Sequence, residues 1–206
     1  MLVKICGITR AEDAEAAVAA GAGAIGFVFW RDSPRFIDPF RARAIAATLP
    51  PFVTSVGVFV NEPAEYVNGV ASLARLGAVQ LHGDETIEYA AAIAFPVVKA
   101  LRVGDERAGS WPARAMVLLD VHDPVRRGGT GRLIDWTAAA GIAARRKILL
   151  AGGLTPDNVA EAVARVRPFG VDVSSGVERA PGVKDHQRLR ALFEAVHDTS
   201  HIATRS

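Results

Sequence analysis

The fold class that the sequence predicts is α/β, a single-domain (β/α)8 barrel of the TIM type, and three observations predict it. Short β-rich apolar runs alternate with longer alanine-rich stretches along the chain, and eight such pairs can be drawn. The 206 residues match such a barrel near the short end of its range and leave little length for insertions. Repeated strand, helix, turn, strand units also imply parallel strands joined by right-handed crossovers. An open doubly wound sheet is the competing architecture. It usually has fewer strands and a glycine fingerprint after the first, which Cys6-Gly7-Ile8-Thr9 does not supply.

Each element has its own signal. Residues 2–6 form an apolar run that ends on the chain's one cysteine and turns at once toward a helix. Thr9 stands three residues before Glu12, the capping-box spacing, so a helix is expected over 10–20, closed by Gly21. A strand over 24–29 leads to a helix over 39–48, and one over 54–60 to a helix over 63–75 that Gly77 follows. The fourth strand, 78–81, precedes a helix over 86–94; the fifth, 97–101, precedes a weak helix near 105–110. The last three pairs are 115–120 with 135–144, 147–150 with 156–165, and 171–173 with 185–197. The barrel domain is thus expected over 1–197. Residues 198–206 are polar and patternless, the mark of a loose C-terminal tail.

Composition narrows the function classes. With 50% hydrophobic residues the chain can bury one substantial core. It has no basic-apolar-small leader and no apolar run of the roughly 18 residues a membrane span needs, so a soluble, cytoplasmic protein is expected. A single cysteine removes any internal disulfide. The five histidines lack paired ligand spacing, and Asp120, His122 and Asp123 offer at most three ligands, so no metal site is expected. The pI is near 9.0 but the formal charge is only +2, with arginines scattered among acids. That argues against a nucleic-acid surface.

In a barrel of this kind, chemistry sits at the C-terminal ends of strands and in the loops that follow. Gly152 and Gly153 after the seventh strand let backbone approach a ligand. Ser174, Ser175 and Gly176 after the eighth offer hydroxyls and N–H groups, and the two stretches together suggest an anion cradle in the usual phosphate position. Cys6, read alone, is either a small buried hydrophobe or a thiolate with a pKa lowered by nearby helix N–H groups. Asp120 ends the apolar run Met116-Val117-Leu118-Leu119, where burial would raise its pKa and suit a general acid; its alternative is a strand-end carboxylate paired with Arg126 or Arg127. Arg35, stiffened by Pro34, could clamp a carboxylate or lie on the surface. Lys4, Lys99 and Lys147 fall within strands and are expected to be interior residues paired with carboxylates. His82 is either an orienting group or an ordinary strand-end histidine.

Seven stretches carry a resemblance: Lys4-Ile5-Cys6-Gly7-Ile8-Thr9, Ser33-Pro34-Arg35, Gln80-Leu81-His82-Gly83, Leu118-Leu119-Asp120, Gly128-Gly129-Thr130-Gly131, Leu150-Ala151-Gly152-Gly153-Leu154 and Asp172-Val173-Ser174-Ser175-Gly176-Val177-Glu178. In this order they resemble the phosphoribosylanthranilate isomerase family of tryptophan biosynthesis, from the first strand to the last helix. The resemblance implies a cofactor-independent, metal-free Amadori rearrangement of N-(5-phosphoribosyl)anthranilate to 1-(2-carboxyphenylamino)-1-deoxyribulose 5-phosphate. It implies Asp120 as the acid that opens the sugar ring and Cys6 as the base that removes the proton from the second carbon. Arg35 would hold the anthranilate carboxylate, and Gly152, Gly153, Ser174, Ser175 and Gly176 the phosphate. Lys4, Gln80 and His82 are candidates for the surrounding shell. The partner implied is a small phosphorylated substrate, with no nucleic acid, membrane or obligate protein partner. The rivals are a related histidine-pathway aminoaldose isomerase, expected to use two aspartates where this chain has Cys6, and a barrel that only binds a sugar phosphate, which would leave Cys6, Arg35 and Asp120 without a task.

Overall fold

A computed structural model describes residues 1–120 and 136–202 of the chain. Eight strands pair in chain order and close into a barrel: β1 (Leu2–Ile5), β2 (Ala24–Val28), β3 (Thr54–Phe59), β4 (Ala78–Leu81), β5 (Val97–Arg102), β6 (Met116–Asp120), β7 (Ile148–Ala151) and β8 (Gly170–Val173). All neighbours run parallel, and β8 closes on β1 with Lys4 opposite Asp172 and Ile5 opposite Val173. Around it stand α1 (Ala11–Ala20), α2 (Pro39–Ala46), α3 (Ala64–Leu73), α4 (Ile87–Ala91), α5 (Trp136–Ala143), α6 (Val159–Val166) and α7 (His186–Ile202). The β5–β6 connection holds a short 3-10 helix, Glu106–Gly109, where the sequence offers only a weak helical signal. No helix among the described residues is long and apolar enough to cross a membrane.

The strand period of two explains the two cores. In β6 and β7, Val117, Leu119, Ile148 and Leu150 face outward into the main cluster beneath the helices, while Leu118, Leu149 and Ala151 join Val98 and Ala100 inside the barrel. Because both faces are covered, the strands read as nearly continuous apolar runs rather than as alternation. Near the upper rim, Cys6, Val28 and Val58 form a small interior layer. Outside it, the Phe29 and Phe59 rings stack at 5.2 Å and clamp β2 to β3. Each such ring, fully buried, contributes about 1.5–3 kcal/mol of transfer free energy.

Several expectations are corrected. Thr9 does not cap α1: Arg10 occupies the cap position without a side-chain bond, and the Thr9 hydroxyl donates instead to the Gly182 carbonyl at 2.6 Å. Gly21 does end α1, with φ 113°, but the left-handed turn after α3 falls on Arg75, with φ 53°, rather than on Gly77. Of the three strand lysines, only Lys4 is an interior barrel residue. Lys99 is fully buried and paired with Glu85 at 2.7 Å, yet it shares the outward face of β5 with Leu101. Lys147 is exposed just before β7, its ammonium 5.0 Å from the Phe169 ring centroid. The final helix runs to Ile202, beyond the expected end at His197, so the start of the expected tail is helical.

Between β8 and α7 the chain forms an antiparallel ribbon that the sequence did not predict, β9 (Glu178–Ala180) with β10 (Val183–Lys184). The Gly128-Gly129-Thr130-Gly131 stretch, Arg126, Arg127, His122, Asp123 and the expected helix start at Asp135 lie outside the described residues, as do residues 203–206.

Candidate active site

Barrel closure decides which candidates can meet. Cys6 directly follows β1 and Asp120 ends β6, and the loops after β7 and β8 lie between them around the rim. A molecule held by those two loops therefore has the thiol on one side and the carboxyl on the other.

Cys6 is nearly buried, at 8% exposure. Gly26 on β2 makes room for it, since a Cβ there would stand 2.8 Å from the sulfur. Below it Lys4, 1% exposed, donates to Asp172 Oδ1 at 2.8 Å. Burial pulls the Lys4 pKa down, but Asp172 and Cys6 outweigh it, so the ammonium is held charged above its ordinary value. The thiol is pushed up, by burial first and by Asp172 in addition, with the Lys4 and Lys184 charges opposing. Of the two readings of Cys6 left open by the sequence, the thiol acidified by helix N–H groups finds no support: α1 begins only at Ala11, and the nearby positive charges come from lysines. A raised pKa makes the thiolate scarcer but a stronger base once formed.

Across the rim, Asp120 keeps 28% of its side chain exposed, so it is less buried than its apolar strand suggests. His82 Nε2 stands 3.6 Å from Asp120 Oδ2. Gln80, on the same inward face of β4, donates its amide N–H to His82 Nδ1 at 2.8 Å. With Nδ1 engaged by Gln80, the other ring nitrogen, Nε2, is the one that faces Asp120. Gln80 Oε1 is buried without a partner among the described residues. Asp120 and His82 help line a mouth cavity of about 550 Å³ together with Asn61, Asp84 and Arg102.

Arg35 sits in a tight turn, with the Phe36 N–H bonded to the Ser33 carbonyl and its own N–H to the Ser33 hydroxyl. Its side chain lies across Gly7, φ 73°, where a Cβ would come within 2.6 Å of Arg35 Cδ and 3.1 Å of Ser174 Oγ. A residue other than glycine would be strained there and would push the arginine out of the mouth. The guanidinium is already engaged: Nε and Nη2 donate to Glu178, the shortest bond being 2.6 Å.

Both candidate anion loops have the backbone the sequence suggests. Gly152 and Gly153 take positive φ, 93° and 64°. Ser175–Val177 forms a short 3-10 turn in which a Cβ on Gly176 would collide with the Leu154 carbonyl oxygen, so the β7 and β8 loops are in direct contact.

Sequence reasoning missed Glu178, Lys184 and Asp172 as site components. Lys184 is fully buried and donates to the Cys6 carbonyl at 2.6 Å, the Ser174 carbonyl at 3.2 Å and Glu178 Oε1 at 2.8 Å. Its only signal in the sequence is a lysine in a two-residue strand, which is too short to show a period.

Comparison with known proteins identifies the family. A family model described as N-(5'phosphoribosyl)anthranilate (PRA) isomerase matches residues 3–195. The N-(5'-phosphoribosyl)anthranilate isomerase of Pelobacter propionicus is 49% identical, covering 98% of this chain and 99% of its own. That of Geobacter sulfurreducens is 53% identical over 93% of this chain and 96% of its own. Among solved structures, the phosphoribosyl anthranilate isomerase of Thermotoga maritima superposes with TM-score 0.88 at 46% identity, covering 96% of this chain and all of that one. Another, solved in complex with reduced 1-(o-carboxyphenylamino)-1-deoxyribulose 5-phosphate, gives TM-score 0.85 at 44% identity over 96% of this chain and all of its own. Matched by the family model over residues 3–195 and sharing its barrel and nearly its full length with these proteins, the chain belongs to the PRA isomerase family.

Proposed function

We infer that this chain converts N-(5-phosphoribosyl)anthranilate to 1-(2-carboxyphenylamino)-1-deoxyribulose 5-phosphate, an aldose–ketose isomerisation in L-tryptophan biosynthesis. The observation that carries the reading is the placement of one carboxyl and one thiol on opposite sides of two contiguous glycine-bearing loops. An Amadori rearrangement needs that arrangement: one proton goes onto oxygen and another comes off carbon of the same anchored sugar.

In this reading the phosphate sits on the backbone of Gly152, Gly153 and Gly176 and the hydroxyls of Ser174 and Ser175. Arg35 holds the anthranilate carboxylate. Asp120 gives its proton to the furanose ring oxygen; the C1–O bond breaks as the anthranilate nitrogen lone pair forms the Schiff base. The Cys6 thiolate then takes the proton from the second carbon, and the electron pair moves toward nitrogen to give the enolamine, which becomes the ketone as C1 gains a proton and the C2 hydroxyl loses one. Lys4, kept charged by Asp172, offsets the thiolate charge when Cys6 ionises. His82 offers its Nε2 proton to Asp120 and so supports the carboxylate left after proton transfer. No cofactor or metal has a step in this scheme, the partner is the small phosphorylated substrate alone, and the cytoplasm is the expected site of action.

The test is to mix purified protein with freshly prepared phosphoribosylanthranilate and follow the loss of its fluorescence. Loss well above the spontaneous rate is expected. No loss above background at micromolar enzyme would sink the reading.

A further inference from the structure

The role given to Arg35 leaves a question of geometry, because this arginine is held by a carboxylate of the protein itself. Glu178 accepts from Nε through both oxygens, at 3.0 and 3.1 Å, and from Nη2 at 2.6 Å. That grip takes the Nε–Nη2 edge of the guanidinium. Nη1 makes no hydrogen bond among the described residues, and the side chain is 23% exposed. Since the guanidinium is planar with five donors in a fixed fork, holding one edge fixes where the other points.

Glu178 is in turn fixed from behind. Its side chain is 4% exposed and also accepts from Lys184 Nζ at 2.8 Å and from the Gly182 N–H at 3.2 Å. Burial works to raise its pKa, but the Arg35 and Lys184 bonds outweigh it and hold the carboxyl below its ordinary value. The remaining Lys184 donors go to the carbonyls of Cys6 and Ser174. One buried ammonium thus touches the strand end that carries the thiol, the loop that begins the anion cradle and the carboxylate that orients the arginine.

We propose that Glu178 and Lys184, carried on the β9–β10 ribbon, are positioning residues that set selectivity for a ring carboxylate: Glu178 grips the Nε–Nη2 edge of Arg35 so that the Nη1–Nη2 end faces the substrate. The inference rests on the function proposed above and deepens it. Glu178 does not touch substrate. Its contribution lies in removing the rotamer freedom of a long side chain before binding, a cost that a free arginine would meet at each encounter.

Two analogues of the product test this, reduced 1-(2-carboxyphenylamino)-1-deoxyribulose 5-phosphate and the same molecule without the ring carboxylate, with affinities measured by calorimetry. Wild type is expected to prefer the carboxylated analogue. Glu178→Gln is expected to weaken that analogue about tenfold, the scale of one charge-assisted contact, while changing the other by less than about twofold. Because Glu178→Gln leaves Lys184 buried without its counter-ion, a Glu178→Gln/Lys184→Met variant removes both charges and should lose the same discrimination. In an Arg35→Met background, Glu178→Gln should add nothing further to the loss. Equal losses for the two analogues, or additive losses in the Arg35→Met background, would reduce Glu178 to a structural support and overturn the inference alone. Failure of wild type to bind either analogue would overturn the functional reading and this inference together.

Discussion

Replacing Lys4 with methionine separates what the buried Lys4–Asp172 pair does for the fold from what it does for Cys6. The substitution keeps the length of the side chain and removes its charge. Asp172, whose side chain is 8% exposed, has Lys4, at 2.8 Å, as its one side-chain hydrogen-bond partner among the described residues, so none of them is placed to take over. Breaking a buried pair by removing one partner costs about 3–5 kcal/mol. For a chain of this length, at about 2–4 °C per kcal/mol, the melting temperature should fall by about 6–20 °C. The Lys4 charge is also the largest of the influences that oppose burial at Cys6, so the thiol pKa should rise further, with a tenfold loss of thiolate for each unit. Because Cys6 is the only cysteine, the difference in ultraviolet absorbance against pH between each protein and its Cys6→Ala counterpart, in which the two tyrosines cancel, reports its thiolate. Lys4→Met/Asp172→Asn, which removes both charges, should regain much of the melting temperature but only part of the thiolate, because the Asp172 charge that pushes the thiol up is removed with the Lys4 charge that opposes it. A Lys4→Met protein that melts within about 2 °C of wild type, or whose Cys6 titration is unmoved, would refute the reasoning.

Arg35→Met should raise KM about tenfold to a hundredfold, the equivalent of about 1.5–3 kcal/mol, and leave kcat nearly unchanged; unchanged KM with a collapsed kcat would remove Arg35 as the carboxylate anchor. Inorganic phosphate should compete with substrate and protect against heat, by about 2.7 kcal/mol at a hundredfold excess over its Kd; equal melting temperatures in phosphate and in chloride of matched ionic strength would count against the cradle. Glu178 has a folded pKa below its unfolded value near 4.3, so its contribution is present above that pH and lost as pH falls through the folded value. Denaturant unfolding should therefore show wild type losing more stability than Glu178→Gln in the acid range, and parallel profiles there would contradict the Arg35–Glu178–Lys184 grip.

The barrel was legible because its signal is local and repeated: strand runs such as Val117-Leu118-Leu119 and the regular return of alanine-rich helices survive in any window of the chain. The strand-end residues were legible for a related reason, since the fold places every such residue on one rim. Partners were not. Lys4 reads as a strand lysine, but nothing near it in sequence announces Asp172, 168 residues away, and the same holds for Lys184 and Cys6 at a separation of 178. The sense of the Cys6 shift was not legible because it depends on burial and lysines supplied by closure of the barrel, whereas the sequence offered only the helix that follows. Thr9 shows the same limit at short range. Its spacing to Glu12 is that of a capping box, and a long-range bond to Gly182 wins. The β9–β10 ribbon is too short for periodicity to register, yet it carries the residues that tie Arg35, Cys6 and Ser174 together.

The division of labour between Asp120 and Cys6 is the central claim, and substrate deuterated at the sugar's second carbon tests it most directly. If Asp120 opens the ring and Cys6 removes the carbon-bound proton, Cys6→Ala and Asp120→Asn should each lose about 10² to 10⁴ in rate. Their isotope responses should differ. Cys6→Ser, with a poorer base, should make proton removal limiting and show a larger deuterium effect than wild type. Asp120→Asn should show little or none, because ring opening is then the slow step. The reverse pattern would mean that the two roles are exchanged, and a Cys6→Ala enzyme at nearly wild-type kcat would contradict the account outright.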